Sequence, residues 1–347
     1  MSLLFEVPEE KKLRVIIDTD AACEADDPFA IVHALLSPKL MVKGILAEHF
    51  REEGSMERSY EEIRVILEAM DMDVPFFKGQ RGPMDSGSGE EPLSEGVQFI
   101  IEEALKEEEH PLYILCQGAV TNVAAAMKAC PAILSRITVI WIGTHGEAPK
   151  RAPFREFNAG NDIEAANYLL SAGGNLWIVP SGVYTTVHIG IAEIQRRILP
   201  CGKIGKHLFW NLVKYNMSEF AGWTKGESWS LGDSPAVAIA LNPDCGHYRE
   251  VPAPYVAEDT SSVEAYTAGS EAAVRMTDEE DSDRMSGILF GNAPESSAES
   301  ADGKPAENRP VKLRPTVRMY TDVDSRYILE DLIAKLELTE LPQDDEE

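Results

Sequence analysis

One stretch constrains the fold most: RVIIDTDAACEADDPFAIVHALL, Arg14 to Leu36. The apolar run Val15-Ile16-Ile17 stops at Asp18, and Asp20, Glu24, Asp26 and Asp27 follow before the apolar, helix-like run Phe29 to Leu36 begins. A short apolar run that passes through a turn into a helix reads as a buried strand entering a crossover. The acids in the turn are costly, because like charges repel and an unpaired buried carboxylate is strongly disfavoured. The stretch therefore calls for a positive charge that the sequence does not encode. Asp27 precedes Pro28, which suits the start of a helix, so Asp27 is expected at the N-cap with its side chain turned back toward the strand end.

The same alternation continues along the chain. Strands are expected at Arg14–Asp18, Val42–Ala47, Leu112–Cys116, Ile137–Ile142 and Leu176–Pro180, and helices at Ser59–Met70, Leu93–Glu107, Val120–Lys128 and Ile163–Ser171. This spacing predicts a Rossmann-like α/β fold: a mostly parallel central sheet with helices on both faces. In such sheets ligands bind beyond the carboxyl ends of the strands, where Asp18, Asp20, Gln117 and Gly143 fall. The 347 residues read as a single α/β domain. Residues 258–308, rich in Ser, Ala, Glu and Asp and poor in aromatics, read as a flexible insertion. A strand-like piece and a helix from about Ser325 follow, with Leu329, Leu332, Ile333 and Leu336 on one helix face.

Composition narrows the partners. The formal net charge is -27. Such a chain is expected to bind neither nucleic-acid polymers nor anionic membranes, which need clustered Lys and Arg. The five Cys show no CxxC spacing and are odd in number, as expected of free thiols in a reducing compartment. With no signal-like N-terminus and no membrane-length apolar run, a cytoplasmic location is expected.

Asp20 and Asp27 lie on opposite arms of the turn and could bracket one cation. The nearby donors are all oxygens, which favours Ca²⁺ over Mg²⁺ and Zn²⁺. Taken singly, each Asp could instead only cap a helix or shape a turn.

Asp18-Thr19-Asp20, a short loop, Asp26-Asp27 and an apolar helix resemble the signature of the nucleoside hydrolase family, the inosine–uridine-preferring nucleoside N-ribohydrolases. Three later stretches match in order. They are Gln117-Gly-Ala-Val-Thr-Asn-Val-Ala, then Glu156-Phe157-Asn158 with Asp162 and Glu164-Ala165-Ala166, and then Leu231-Gly232-Asp233-Ser234-Pro235. The resemblance implies Ca²⁺-dependent hydrolysis of the N-glycosidic bond of a ribonucleoside or related ribosyl compound. It implies that Asp20 binds Ca²⁺ and acts as general base, that Asp27 and Asp233 bind the ion with the Gln117 carbonyl, and that Asp26, Glu156 and Asn158 hold ribose hydroxyls. Asn122 is expected as a structural cap. A homodimer or homotetramer is implied as well.

The sequence also departs from the family pattern. The loop Ala21 to Ala25 is two residues longer than usual and lacks the family's Pro-Gly. Gly232 stands where many relatives carry a His that protonates the leaving base, or an aromatic that stacks on it. Glu48-His49-Phe50 replaces the family's Gly-Asn after the second strand. His49 and His145 are therefore the expected candidates for contact with the substrate, and Trp223 and Trp229 could stack on a base. Two alternatives stand beside the hydrolase: a non-catalytic ribose- or nucleoside-binding relative, and a phosphatase of the haloacid dehalogenase type with Asp18 or Asp20 as nucleophile. The phosphatase leaves Asp26-Asp27 and Glu156–Asn158 without a role.

Overall fold

Strand β1 (Leu13–Thr19) is buried from Val15 onward. An apolar strand buried on both faces belongs at the centre of a parallel sheet. In the computed structural model, which describes residues 3–84, 92–146, 154–263 and 314–339, β1 lies between β2 (Leu40–Ala47) and β4 (Leu112–Cys116), parallel to both. Beyond β2 is β3 (Phe76–Lys78), and beyond β4 come β5 (Ile137–Ile142) and β6 (Asn175–Val179). Strand β12 (Thr316–Tyr320) pairs parallel with β6, and β9 (Tyr248–Pro252) closes that edge antiparallel to β12. Among the described residues the sheet order is β3-β2-β1-β4-β5-β6-β12-β9. This confirms the mostly parallel α/β sheet.

Side-chain alternation along the strands builds two cores. Val15, Ile17, Ile45, Leu115 and Ile140 face one way. They pack with α1 (Asp27–Leu35), α2 (Ser55–Met70), α9 (Gly202–Asn216), α10 (Ser234–Leu241) and α11 (Ser325–Thr339). Ile16, Leu46, Ile114, Val139 and Trp141 face the other way, against α3 (Glu95–Leu105), α4 (Thr121–Ala129) and α6 (Ile163–Ala172). Shorter pieces complete the frame: α5 (Phe157–Asn161), α7 (Ser181–Tyr184) and α8 (Ile191–Glu193), the antiparallel pair β7 (His188–Gly190) and β8 (Ser228–Ser230), and the ribbon β10 (Tyr255–Val256) with β11 (Ser262–Val263).

The expected elements fall within a few residues of the observed ones. Helix α2 starts earlier than expected because Gly54 adopts φ +72 before it, and the buried Ser55 hydroxyl accepts from the Phe50 amide at 3.1 Å. Helix α3 starts later because Ser94 caps it, accepting from the Val97 amide. Strand β3 has only three residues, and most of β9 is exposed, so neither showed an apolar run to read. The first residues of the expected insertion, 258–263, instead form the turn and the second strand of the β10–β11 ribbon; from residue 264 to 308 it lies outside the described residues, as does the acidic tail. The described residues from 3 to 263 and from 315 to 339 form one compact unit.

The start of α1 corrects one expectation. Asp26, not Asp27, takes the N-cap position, and it caps through its backbone: its carbonyl accepts from Phe29 and Ala30 at 3.0 and 3.2 Å. Neither carboxylate caps the helix. Both are therefore available for the end of the sheet.

The far end of α1 is tied to α11. His33 Nε2 donates to Asp331 Oδ2 at 2.7 Å, Lys335 pairs with the same carboxylate, and Lys335 also donates to Ser37 Oγ at 2.8 Å. Burial holds the His33 imidazole below its ordinary value near 6.5. Burial alone would raise Asp331, but hydrogen bonds from His33 and Lys335 bring it below its usual range. A depressed histidine stabilises the fold above its unfolded value, and that contribution is lost as pH falls. The acids at the end of β1, whose values are raised, act in the opposite sense. The comparison of two proteins therefore isolates His33: His33→Gln should lose less stability than wild type as pH falls below about 6.5 in urea titrations. Asp331→Ala should cost about 1–3 kcal/mol at neutral pH, because it strands the buried His33 donor and leaves Lys335 with Ser37 alone.

Candidate active site

The strand order reverses between β1 and β4, and the crevice at their carboxyl ends is where such a sheet offers a ligand site. The backbone extends the pairing there: Gln117 N donates to the Asp18 carbonyl, and Glu48 N to the Thr19 carbonyl, both at 2.8 Å. Asp20 follows, its carbonyl accepting from Cys23 at 2.7 Å to close the turn. The longer loop then delivers Asp26 and Asp27 to the start of α1, and the loop after β8 delivers Asp233 to the start of α10.

These side chains converge. Carboxylate oxygens of Asp26, Asp27 and Asp233 all lie within 4.8 Å of one another. Asp20 lines the same cavity, of about 630 Å³, with Glu24 and Gln117. The tightest group contains Asp26, expected to hold a sugar hydroxyl, and not Asp20. Thr19 Oγ1 donates to Asp27 Oδ1 and fixes its direction. Gly118 is tightly placed as well: a Cβ there would stand 2.9 Å from Asp20 Cγ.

Burial raises the carboxyls of Asp20, Glu24, Asp27 and Asp233, and the neighbouring acids raise each of them further. Asp26 is raised by burial too. So many acids cannot ionise together at neutral pH without a counter-charge. A cation fits the donor set. Asp20 Oδ2 is buried without a hydrogen-bond partner, and the Gln117 carbonyl receives only a 3.4 Å contact from Asn158. Asp20, Asp26, Asp27, Asp233 and the Gln117 carbonyl offer hard oxygens with no nitrogen or sulfur among them, as a hard divalent ion prefers.

Below the acids, Asn122 is a bridge and not the expected cap. Its Nδ2 donates to Asp18 Oδ1 at 2.8 Å, its amide to Glu48 Oε1, and its Oδ1 accepts from Gln80 N. Asp18 thus supports the site from beneath.

The sugar-side residues divide. Asn158 lines the cavity, its Nδ2 donating to the Ile142 carbonyl at 2.8 Å. Glu156 is fully buried and is not on the wall. Its carboxylate accepts from the Thr144, Asn158 and Ala159 amides and the Tyr184 hydroxyl. It thereby caps α5 and orients the wall.

Both expected histidines lie off the cavity wall. His49 is buried; its Nε2 donates to Thr121 Oγ1, whose proton goes to Asp162, and its Nδ1 accepts from Arg51 N. Burial, with Arg51 nearby, depresses it to about 4, so it stays neutral and has no free nitrogen. His145 is held by Ser181 Oγ and the Phe154 carbonyl. Trp229 is buried beneath Trp223, which does line the cavity.

Sequence reasoning missed Tyr184, Tyr215, Phe220 and Arg155, all on the wall. Tyr184 explains Gly232: a Cβ on Gly232 would stand 3.1 Å from the Tyr184 ring and 3.1 Å from Asp26 Oδ2. The space for a side chain at 232 is filled by a tyrosine from another loop. No local pattern marks Tyr184 in the sequence. Arg155 had one visible signal, a cation directly before the Glu156–Asn158 motif.

The profile of the inosine-uridine preferring nucleoside hydrolases matches residues 15–327. The chain belongs to that family. Membership places it among ribonucleoside N-ribohydrolase enzymes and removes the phosphatase reading. An uncharacterized protein of Schizosaccharomyces pombe is 26% identical over 211 residues, 53% of this chain and 66% of that protein. The pyrimidine-specific ribonucleoside hydrolase RihB of Escherichia coli (strain SE11) is 24% identical over 284 residues, 74% of this chain and 86% of its own. The purine-preferring ribonucleoside hydrolase of Gardnerella vaginalis shares the fold at a TM-score of 0.67 and 20% identity, over 93% of this chain and 98% of its own.

The carboxylate cluster generates a test in this family member. Asp233→Asn removes one repelling charge, so the metal-free variant should melt higher than metal-free wild type. A divalent cation should raise the melting temperature of wild type and have little effect on the variant. Thermal melts with chelator and with added cation measure both.

Proposed function

We propose that the protein hydrolyses the N-glycosidic bond of a ribonucleoside with Ca²⁺ as its cofactor. The observation that carries this reading is the convergence of buried carboxylates, unsatisfied by any cation among the described residues, on one wall of a cavity whose other side is largely aromatic. Asp20, Asp27, Asp233 and the Gln117 carbonyl would hold the ion, which when bound supplies charge to orient and acidify a water.

The residues then divide the work. Asp20, with its unpartnered Oδ2 in the cavity, accepts the proton of the attacking water. The water oxygen bonds to the anomeric carbon, the carbon–nitrogen bond breaks, and its electron pair leaves with the base. The remaining carboxylates favour the oxocarbenium character of the sugar in the transition state. Asp26 and Asn158 hold sugar hydroxyls. On the leaving-group side Tyr184, Tyr215, Phe220 and Trp223 form an apolar wall suited to a planar base. Gly232 contributes no acid there, so the base must leave by its own acidity or with a proton from solvent.

The cysteines are unpaired, and no described helix is long and apolar enough to cross a membrane. We place the enzyme in the cytoplasm as a homo-oligomer acting on small molecules. The relatives differ in the base their names specify, so a substrate panel must decide preference.

Release of free ribose from purine and pyrimidine ribonucleosides tests the proposal. Release should require Ca²⁺, stop with chelator, and fall by about 10³ or more in Asp20→Ala. Binding of nucleosides without release from any of them would overturn it in favour of a binding relative.

A further inference from the structure

Among the described residues lining the cavity, Arg155 is the one cationic side chain. Its surroundings are unusual for this chain. With 59 Asp and Glu against 32 Lys and Arg, a carboxylate is the default partner for a guanidinium. Arg155 instead donates from Nη1 to the Glu258 carbonyl at 2.6 Å and from Nη2 to the Gly160 carbonyl at 2.8 Å. No described carboxylate pairs with it. A guanidinium has five N–H groups, so these two bonds leave three unused. The charge is fixed in place but not neutralised.

The clamp that fixes it is built into the fold. Glu258 lies in the turn between β10 and β11, and Thr260 in the same turn accepts from the Glu156 amide at 2.7 Å. The Arg155–Asn158 segment is thus tied to that ribbon at two points. Arg155 remains exposed at the cavity mouth, on the wall that also carries Asn158.

We propose that Arg155 is a subsite for a phosphomonoester on the 5′ oxygen of the substrate, so that ribonucleoside 5′-monophosphates are taken in preference to ribonucleosides. This rests on the hydrolase reading above. In the hydrolase reading Asn158 holds a sugar hydroxyl, and Arg155 stands on the same wall three residues before it. A phosphate there meets a pre-oriented planar fork, the geometry that binds phosphate best. In a chain of this net charge, a dianion also needs such a local cation to overcome long-range repulsion. The bond cleaved is unchanged; the sugar product is ribose 5-phosphate.

The test compares kcat/KM, with Ca²⁺ present, for a ribonucleoside, its 5′-monophosphate and its 3′-monophosphate. The 5′-monophosphate should exceed the nucleoside by about tenfold or more, and the 3′-monophosphate should not. Arg155→Gln should bring the ratio of 5′-monophosphate to nucleoside to about one or below, and Arg155→Lys should leave it between the two. Each variant's own nucleoside rate is its reference, and its thermal melt reports folding. If Arg155→Gln fails to fold, the wild-type ratio still decides: equal or lower kcat/KM for the 5′-monophosphate overturns the proposal. A gain shared by the 3′-monophosphate overturns it too, since that would be unspecific attraction. Thermal shift with ribose 5-phosphate against ribose separates the two readings. No turnover of any ribosyl compound, with a shift from ribose 5-phosphate lost in Arg155→Gln, would reject the hydrolase and keep the subsite. Turnover of nucleosides with no advantage from phosphate would do the reverse.

Discussion

The mutual repulsion of buried carboxylates at the end of β1 is the constraint on which the rest of this structure depends. Asp20, Asp26, Asp27 and Asp233 are all buried, and each is pushed toward its neutral form. A fold holds such a group together only if the elements that carry it are stable without it. Here they are: β1 is central, and α1 and α10 are apolar and buried along almost their whole length. The apolar cores on both faces of the sheet hold the acids against their own repulsion, and a cation then turns that repulsion into binding.

How much of this was legible in sequence depends on the range of the signal. The central strands announced themselves because a strand buried on both faces must be an apolar run. The acid cluster was legible because Asp20, Asp26 and Asp27 lie within one turn, and Asp233 because it opens a helix in a recognisable motif. The family resemblance, confirmed over residues 15–327, fixed their order. What failed to show were long-range arrangements. His49 and His145 sat at strand ends, where a ligand contact is reasonable, yet their ring nitrogens are taken by partners as distant as Thr121 and Ser181. Glu156 lies in a motif read as sugar-binding, but its oxygens are occupied by three amides and the Tyr184 hydroxyl.

Gly232 shows the same limit from the other side. Read alone, it looks like a lost side chain. In three dimensions Tyr184 stands in the vacated space, and the hydroxyl of that ring reaches Glu156 at 2.9 Å. The exchange is of one side chain for another across 48 positions of sequence, and it changes the chemistry available. A phenol bonded to a buried carboxylate is a poor proton donor to a leaving group, because burial and Glu156 both raise its pKa far above its ordinary value. The aromatic wall can stack a base and exclude water without supplying a proton.

Strand β12 lies between β6 and β9, though it comes after both in the chain. A ribosome making this protein therefore releases β9 with no neighbour to pair with, and the sheet keeps an open edge at β6 until Tyr320 has emerged. Helix α11, which pins the far end of α1 through Asp331 and Lys335, is later still. The acids at the head of α1 are thus made well before the helix that pins the other end of α1. Until β12 and α11 emerge, the nascent chain carries these acids with an incomplete scaffold. An exposed edge at this stage invites pairing with other chains, so the high net negative charge serves the unfinished protein as much as the finished one.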